Sequence, residues 1–378
     1  MDELISQLKL SRLLASSADS TARRQLMFAL RSLSDSLEEP SDTIQRFGHL
    51  NLRSAAVKVK FDINLIEFFE HSQGAVTASV IAKKTGRDTV LLTRILIGVV
   101  DEVGNDGFAA NHTTHNVAKN FESISPQYQA IPGFLKKTGY QNPTDPLHTV
   151  FQDAFSTTLS AYDWLSQHQA RRQVFNDYMA SRKGPELSWL SVYPVRGQLT
   201  DEMWAGEHKD VTRAMYVDIG GGKGHQCAQF KCKYPDVPGR VILQDLEDTV
   251  TKTLSTPGVE NITHNFFDEQ PIKAAKFYYI RGVLHNQLVE DAKRLLTRTK
   301  DAMATDSVLL IDELVLGERG LDSYSATVDL TMMAANASME RTETQWREIL
   351  EVVGLCFVKR YPYNPATFES VIEVRLLS

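Results

Sequence analysis

Residues 216–224 read Tyr-Val-Asp-Ile-Gly-Gly-Gly-Lys-Gly, a β-branched and aromatic run that ends in a carboxylate and passes into glycines at 220, 222 and 224. A strand reaching Asp218 would deliver Gly220 to Gly224 into a tight turn, where missing Cβ atoms permit positive φ and let a ligand touch the main chain. A pyrophosphate cradle of the dinucleotide type needs the spacing G-x-G-x-x-G. Here the glycines alternate as D-x-G-x-G-x-G, so phosphate is not the favoured ligand; a turn of purely structural use is the alternative. A second run, Arg240-Val241-Ile242-Leu243-Gln244-Asp245, ends in another carboxylate roughly 20–30 residues on, where an acid can chelate ribose hydroxyls. Asp245 could instead cap a helix opened by Leu246-Glu247-Asp248. Taken together, the two motifs predict a nucleoside-cofactor site.

The elements that must position this site follow from periodicity. From residue 211 onward, strands alternate with helices at 214–219, 240–244, roughly 261–264, 276–280 and 307–312. Two last runs, 356–361 and 371–377, have no helix between them, as in a closing antiparallel hairpin. This predicts an α/β fold with a doubly wound, Rossmann-like sheet over 211–378. Residues 1–120 read as an α-helical, winged-helix-like domain. Met27, Leu30, Leu33 and Leu37 recur at helical spacing, with no turn punctuation before Glu39-Pro40, and such a stripe favours packing on a second subunit. Helices over Ala56–Phe69, Val76–Lys84 and Thr89–Val100 precede a Gly104…Gly107-Phe108 turn. To read DNA, that shape would need a basic recognition helix; residues 88–96 are too apolar, so a dimerisation module is expected. Residues 121–210 form a helical linker rich in aromatics. There Phe151 and Trp164 surround His148, Gln152, Asn176 and Met179, a lining suited to a flat or polyketide-like substrate.

Bulk properties narrow the partners. The 378 residues carry a net charge of −6 with Lys and Arg dispersed, which gives no electrostatic reason to expect nucleic acid or an anionic membrane surface. The N-terminus is acidic without an apolar h-region and no stretch reaches membrane-span length, so a cytoplasmic protein with a small-molecule partner is expected. The three cysteines, Cys227, Cys232 and Cys356, lack a histidine at ligand spacing and read as reduced, with no metal site.

The glycine turn resembles motif I of class I S-adenosylmethionine (SAM) methyltransferases. From about residue 50 onward, the chain resembles the plant caffeate-type and fungal secondary-metabolite O-methyltransferases. The resemblance rests on 217–222, Leu243-Gln244-Asp245-Leu246, His264-Asn265-Phe266-Phe267, Tyr278 through His285, Leu310-Ile311-Asp312-Glu313, and Asp329 through Thr342, with 136–144 close to the fungal branch. It implies SAM as cofactor, held by Asp218, Gly220, Gly221, Gly222, Asp245 and Leu246, with Asn265 and Phe266 flanking the adenine and Arg281 nearby. It also implies His285 as the base that takes the acceptor hydroxyl's proton, oriented by Glu313 and Glu340, with Asn286 and Met333 on the substrate side. A phenol is a poor nucleophile until deprotonated, and a histidine poised near neutral pH suits that task.

The usual Asp-Trp-Pro-Asp after this histidine is Asn286-Gln287-Leu288-Val289 here, and Asn265 stands where an aspartate is common. Some fungal members of the superfamily hold SAM without transferring methyl and act as pericyclases on polyketide–pyridone intermediates. In those, a basic residue on the fourth strand polarises a substrate carbonyl. Arg281 matches that residue, and His148, His112 or His115 would be its acid–base partner. O-methylation of an aromatic or polyketide-derived metabolite is the expected function. The alternatives are a pericyclase and a non-catalytic protein that keeps the fold.

Overall fold

A computed structural model describes residues 20–65, 68, 75–96, 101–103, 107–109, 124–181, 188–199, 211–319, 323–364 and 368–377. Two units emerge, one from residues 1–136 and 153–182, the other from 137–152 and 183–378.

The first unit begins with α1 (Ser20–Leu37) and α2 (Pro40–Asp62). Proline suits the first turn of a helix, where its missing N–H is not needed, so Pro40 opens α2. The helix expected over 56–69 is therefore the end of α2. Next come β1 (Val76–Thr77), α3 (Ala78–Thr85), α4 (Thr89–Leu96), β2 (Asp101–Val103) and β3 (Gly107–Ala109). The Thr77 side chain accepts the Val80 N–H and caps α3. Val76 and Thr77 thus leave the helix expected from 76 and join the antiparallel order β1-β3-β2. Helix α4 is described to Leu96; the rest of the helix expected to Val100 lies outside the described residues. Leu65, Ala78, Ile81, Ala82 and Leu92 form the core of this part. Further on lie α5 (Ser125–Lys137), α6 (Val150–Phe155), which straddles the two units, α7 (Ala161–Gln167) and α8 (Gln169–Ser181).

The second unit is built on one sheet. Its strands are β4 (Ala214–Ile219), β5 (Arg240–Asp245), β6 (Val259–Thr263), β7 (Phe277–Arg281), β8 (Val308–Leu316), β9 (Arg341–Thr342), β10 (Leu355–Asn364) and β11 (Glu369–Leu376), in the order β10-β11-β8-β7-β4-β5-β6 with β9 beside the end of β8. Strands β4 to β8 pair in parallel, and β10 and β11 close the sheet as the expected antiparallel hairpin. Parallel strands covered on both faces read as continuous apolar runs, and β4 and β8 are buried along their whole length.

The helices are α9 (His225–Lys233), α10 (Glu247–Val250), α11 (Val289–Lys300), α12 (Ser323–Asn336) and α13 (Glu343–Val352). Helix α11 carries Glu290 and Asp291 in its first turn and Arg298 and Lys300 in its last, matching its dipole. Helix α13 starts on a Thr342–Gln345 capping box. Alternate strand residues serve opposite faces: Val217 and Ile280 join Leu296 and Trp346 in one core, while Tyr216 and Tyr279 join Trp189 and Phe230 in the other. Because β4, β5, β7 and β8 run the same way, their carboxyl ends and following turns gather at one sheet edge, where ligands of open α/β sheets bind.

Candidate functional site

The first feature of that edge is the glycine turn. Gly220, Gly222 and Gly224 have φ of 69°, 59° and 84°, the left-handed region that glycine enters freely. Added Cβ atoms would lie 2.9 Å from the Val283 side chain at Gly220, 2.6 Å from the Asp218 carboxylate carbon at Gly221 and 2.9 Å from the Leu243 side chain at Gly224. At Gly222 a Cβ would meet nothing within 4 Å. The turn therefore packs tightly on three sides and opens beside Gly222, the shape of a backbone cradle. Asp218 is buried beneath it and accepts from the Cys227 thiol at 3.7 Å, so it supports the turn from behind. Burial pushes that thiol's pKa up, and Asp218 adds to the rise.

Asp245 closes the cradle. Its Oδ2 accepts the Gly222 N–H at 2.9 Å and its Oδ1 the Leu246 N–H at 2.8 Å. An ionised carboxylate offers about four lone-pair sites, so each oxygen keeps one for a diol. Its turn contacts therefore leave the same side chain able to accept from a ribose diol. Leu246 is exposed, Phe266 reaches to 3.8 Å of the Gly220 Cβ position, and Asn265 is exposed with its Oδ1 accepting the Phe267 N–H at 3.0 Å. An apolar side chain, a ring and an outward amide beside a backbone cradle fit an adenosyl group with an amino-acid tail.

The second feature is the turn after β7. Gly282 (φ 61°) leads into a 3₁₀ turn, Leu284–Asn286, that carries His285. Glu313 Oε1, on neighbouring β8, accepts three backbone N–H groups: Val283 at 3.1 Å, Leu284 at 2.9 Å and His285 at 3.4 Å. Glu340 Oε1 lies 2.7 Å from His285 Nδ1, and Glu313 Oε2 lies 3.8 Å from it. The Glu340 main-chain N–H is in turn held by Asp329 of α12 at 2.9 Å. The imidazole side chain is 13% exposed and both glutamates 1%, so the assembly presents one ring edge outward. An Nδ1–H given to Glu340 leaves the lone pair on Nε2, the tautomer of a general base. Burial pushes the Glu313 carboxyl up; His285 and the backbone N–H groups pull it down, and Glu340 adds to the rise. The three donor atoms lie within 4.8 Å of one another, close enough to share a metal ion. The hydrogen-bond length to Glu340 and the three N–H groups on Glu313 hold the ring and its turn in one geometry.

Arg281, at the end of β7, pairs with Asp312 (Nε to Oδ2, 3.5 Å), and its side chain is 16% exposed. Asp312 also accepts the Tyr279 hydroxyl at 2.5 Å and the Tyr363 hydroxyl at 2.8 Å. Burial opposes the charge of Arg281, but Asp312 together with Tyr279, Tyr363 and Glu369 outweighs it, so the guanidinium pKa is pushed up and the group stays protonated.

The residues expected on the substrate side divide differently. Asn286 donates to the Gly282 carbonyl at 3.0 Å and accepts from Asn336 at 3.3 Å, so its amide stabilises the turn itself. Met333 is half-buried on α12. The His148 side chain is 83% exposed and bonded to Asp145 at 2.6 Å. Phe151 is buried, and Gln152 turns inward to Thr149 and Pro146. Trp164, in the other unit, stacks on His168 at 3.9 Å. The side chains of Asn176 and Met179 on α8, and the whole of His112 and His115, lie outside the described residues. Sequence reasoning gave no role to Asp312 or Arg341, both buried among the site residues. A carboxylate inside the apolar run of β8 was the available signal for Asp312.

Three comparisons bear on this geometry. A family model described as an O-methyltransferase domain matches residues 207–356. The O-methyltransferase ucdC of Aspergillus ustus is 36% identical over 356 residues, 90% of this chain and 91% of the relative. Two solved structures share 30% identity: LepI in complex with SAM, at TM-score 0.89 with 99% of each chain covered, and a protein described as a pericyclic reaction enzyme, at TM-score 0.90 with 100% of each covered. No described helix is long and apolar enough to cross a membrane.

Proposed function

This chain belongs to the O-methyltransferase family and uses S-adenosylmethionine, and on that premise we propose that it methylates a hydroxyl of an aromatic or polyketide-derived metabolite with His285 as general base. The observation that carries the proposal is the 2.7 Å contact between His285 Nδ1 and Glu340, with Glu313 behind the same turn. Glu340 fixes the tautomer and stabilises the imidazolium once the acceptor's proton has moved to Nε2. Glu313 holds the turn so that the ring stays in place. When bound, SAM supplies an electrophilic methyl on a positive sulfur. The turn 220–222 and Asp245 hold it beside the same sheet edge, so the residues contribute positioning and proton removal.

Incubation with methyl-labelled SAM and an extract of candidate metabolites, read by mass spectrometry, tests the proposal. A product heavier by one labelled methyl supports it, and loss of water or isomerisation without label overturns it. That second outcome is what a pericyclase would give. Two observations favour this second reading: the buried Arg281–Asp312 pair at the strand end, and the solved pericyclic reaction enzyme of matching fold. In it, Arg281 polarises a substrate oxygen and methyl stays on the cofactor.

A homodimer through the N-terminal helices accompanies either reading. It is supported by Met27, Leu30, Leu33 and Leu37 of α1 and Ile44 and Phe47 of α2, all more than a third exposed, since apolar side chains at helical spacing favour a covering surface.

A further inference from the structure

Resting on the reading of His285 as the base, we infer that Arg341 is a positioning residue that holds the base's turn and balances its charge. A single 3₁₀ turn cannot satisfy its own end groups: N–H groups are orphaned at its start and carbonyls at its finish. Here Glu313 takes the starting N–H groups. Arg341 takes carbonyls of the same turn, donating Nη1–H to the Leu284 carbonyl and Nη2–H to the Gln287 carbonyl, each at 2.9 Å; the Leu284 carbonyl also accepts the Gln287 N–H at 3.1 Å. A carboxylate on the N–H end and a guanidinium on the carbonyl end also match the direction of the turn's dipole. The fork of two parallel donors is what arginine offers and lysine does not.

Arg341 is 1% exposed and lies over the Trp346 ring at 5.3 Å, so it reaches no ligand. Burial works against its charge and pulls its pKa down, and the neighbouring Glu313 and Glu340 carboxylates offset part of that cost. Two carboxylates and one guanidinium leave the cluster one negative charge while the imidazole is neutral, and the proton taken from substrate completes neutrality. Without Arg341 two uncompensated carboxylates would face His285, and the imidazole would hold its proton to higher pH. Among the described residues, the other charged groups around it are Asp329 behind Glu340 and the Arg281–Asp312 pair beside the turn.

The test uses the full chain loaded with S-adenosylhomocysteine and ¹³C-labelled at histidine Cε1, with the His285 resonance identified by its loss in His285→Gln. Arg341→Met should raise the His285 titration midpoint by about one pH unit, while Arg341→Lys, which keeps the charge, should stay near the parent. Arg341→Lys should instead speed hydrogen exchange of the Leu284 and His285 amides about tenfold, since one ammonium cannot span both carbonyls. If Arg341→Met does not fold, the Arg341→Lys exchange rates decide alone. Unchanged midpoint in Arg341→Met, or unchanged exchange in Arg341→Lys, overturns the inference. Methyl transfer by His285→Ala is measured separately: if it persists, the base reading falls even where the clamp is found.

Discussion

At the scale of single residues, the 3.8 Å and 2.7 Å distances from His285 Nδ1 to its two glutamates assign them unequal tasks. Glu340 addresses the ring and Glu313 the backbone. Glu340→Gln should therefore keep the fold but weaken the tautomer preference, lowering turnover by about tenfold or more with little change in melting temperature. Glu313→Ala strands the N–H groups of Val283, Leu284 and His285, the first two buried, and should lower stability by about 2–4 kcal/mol, read by denaturant unfolding. The same scale separates the two readings of the chemistry. With His285 as base, His285→Ala should cost about 10²–10⁴ in rate and Arg281→Ala less. The reverse order in steady-state kinetics would move the chemistry to Arg281 and the pericyclic reading.

At the scale of elements, the glycine turn makes a distinction among its own members. Gly221→Ala pushes a Cβ into the Asp218 carboxylate, so the turn must shift, and both SAM affinity by calorimetry and melting temperature should fall. Gly222→Ala meets no atom and carries only the left-handed backbone strain of about 1–2 kcal/mol. Its melting temperature should drop modestly, while SAM affinity drops more, because the new methyl group enters the open side. Equal affinity in Gly222→Ala and the parent would place the cofactor elsewhere.

These elements were also the most legible. Strands β4, β5 and β7 are short, apolar and punctuated by Asp, Gly or Arg, so each run marked its own limits. Partnerships across the sheet were not legible in this way. Asp312 is recognisable as a carboxylate in an apolar strand, but its tyrosine partners lie 33 and 51 residues away, and no local pattern encodes that. Arg341 stands next to Glu340 in the sequence but bonds carbonyls 57 and 54 residues earlier. Glu39-Pro40 marked the break that ends α1 at Leu37, but the next helix, expected from Ala56, already starts at Pro40.

At the scale of the whole molecule, the cofactor's charge is the handle. Sinefungin keeps a positive charge in place of the sulfonium but does not donate methyl in the normal way. With SAM removed and sinefungin loaded, turnover should stop; full activity would mean that only the charge is needed. The exposed apolar residues of α1 and α2 predict a dimer by sedimentation at micromolar concentration, and Leu33→Glu with Phe47→Glu should release monomers. A parent that sediments as a monomer would leave that face to some other cover.

The sheet order carries a consequence for how the protein is made. Strand β11 lies between β8 and β10, so during translation the edge of β8 emerges well before the strand that covers it. Residues 137–152 likewise wait for 183–378, which complete their unit. A ribosome therefore holds a nascent chain with an apolar β8 edge bare, the condition under which strands pair with the wrong neighbour. A chain stopped after Tyr363 should accumulate in the insoluble fraction, bound by chaperones, while synthesis through Leu376 should restore a soluble product.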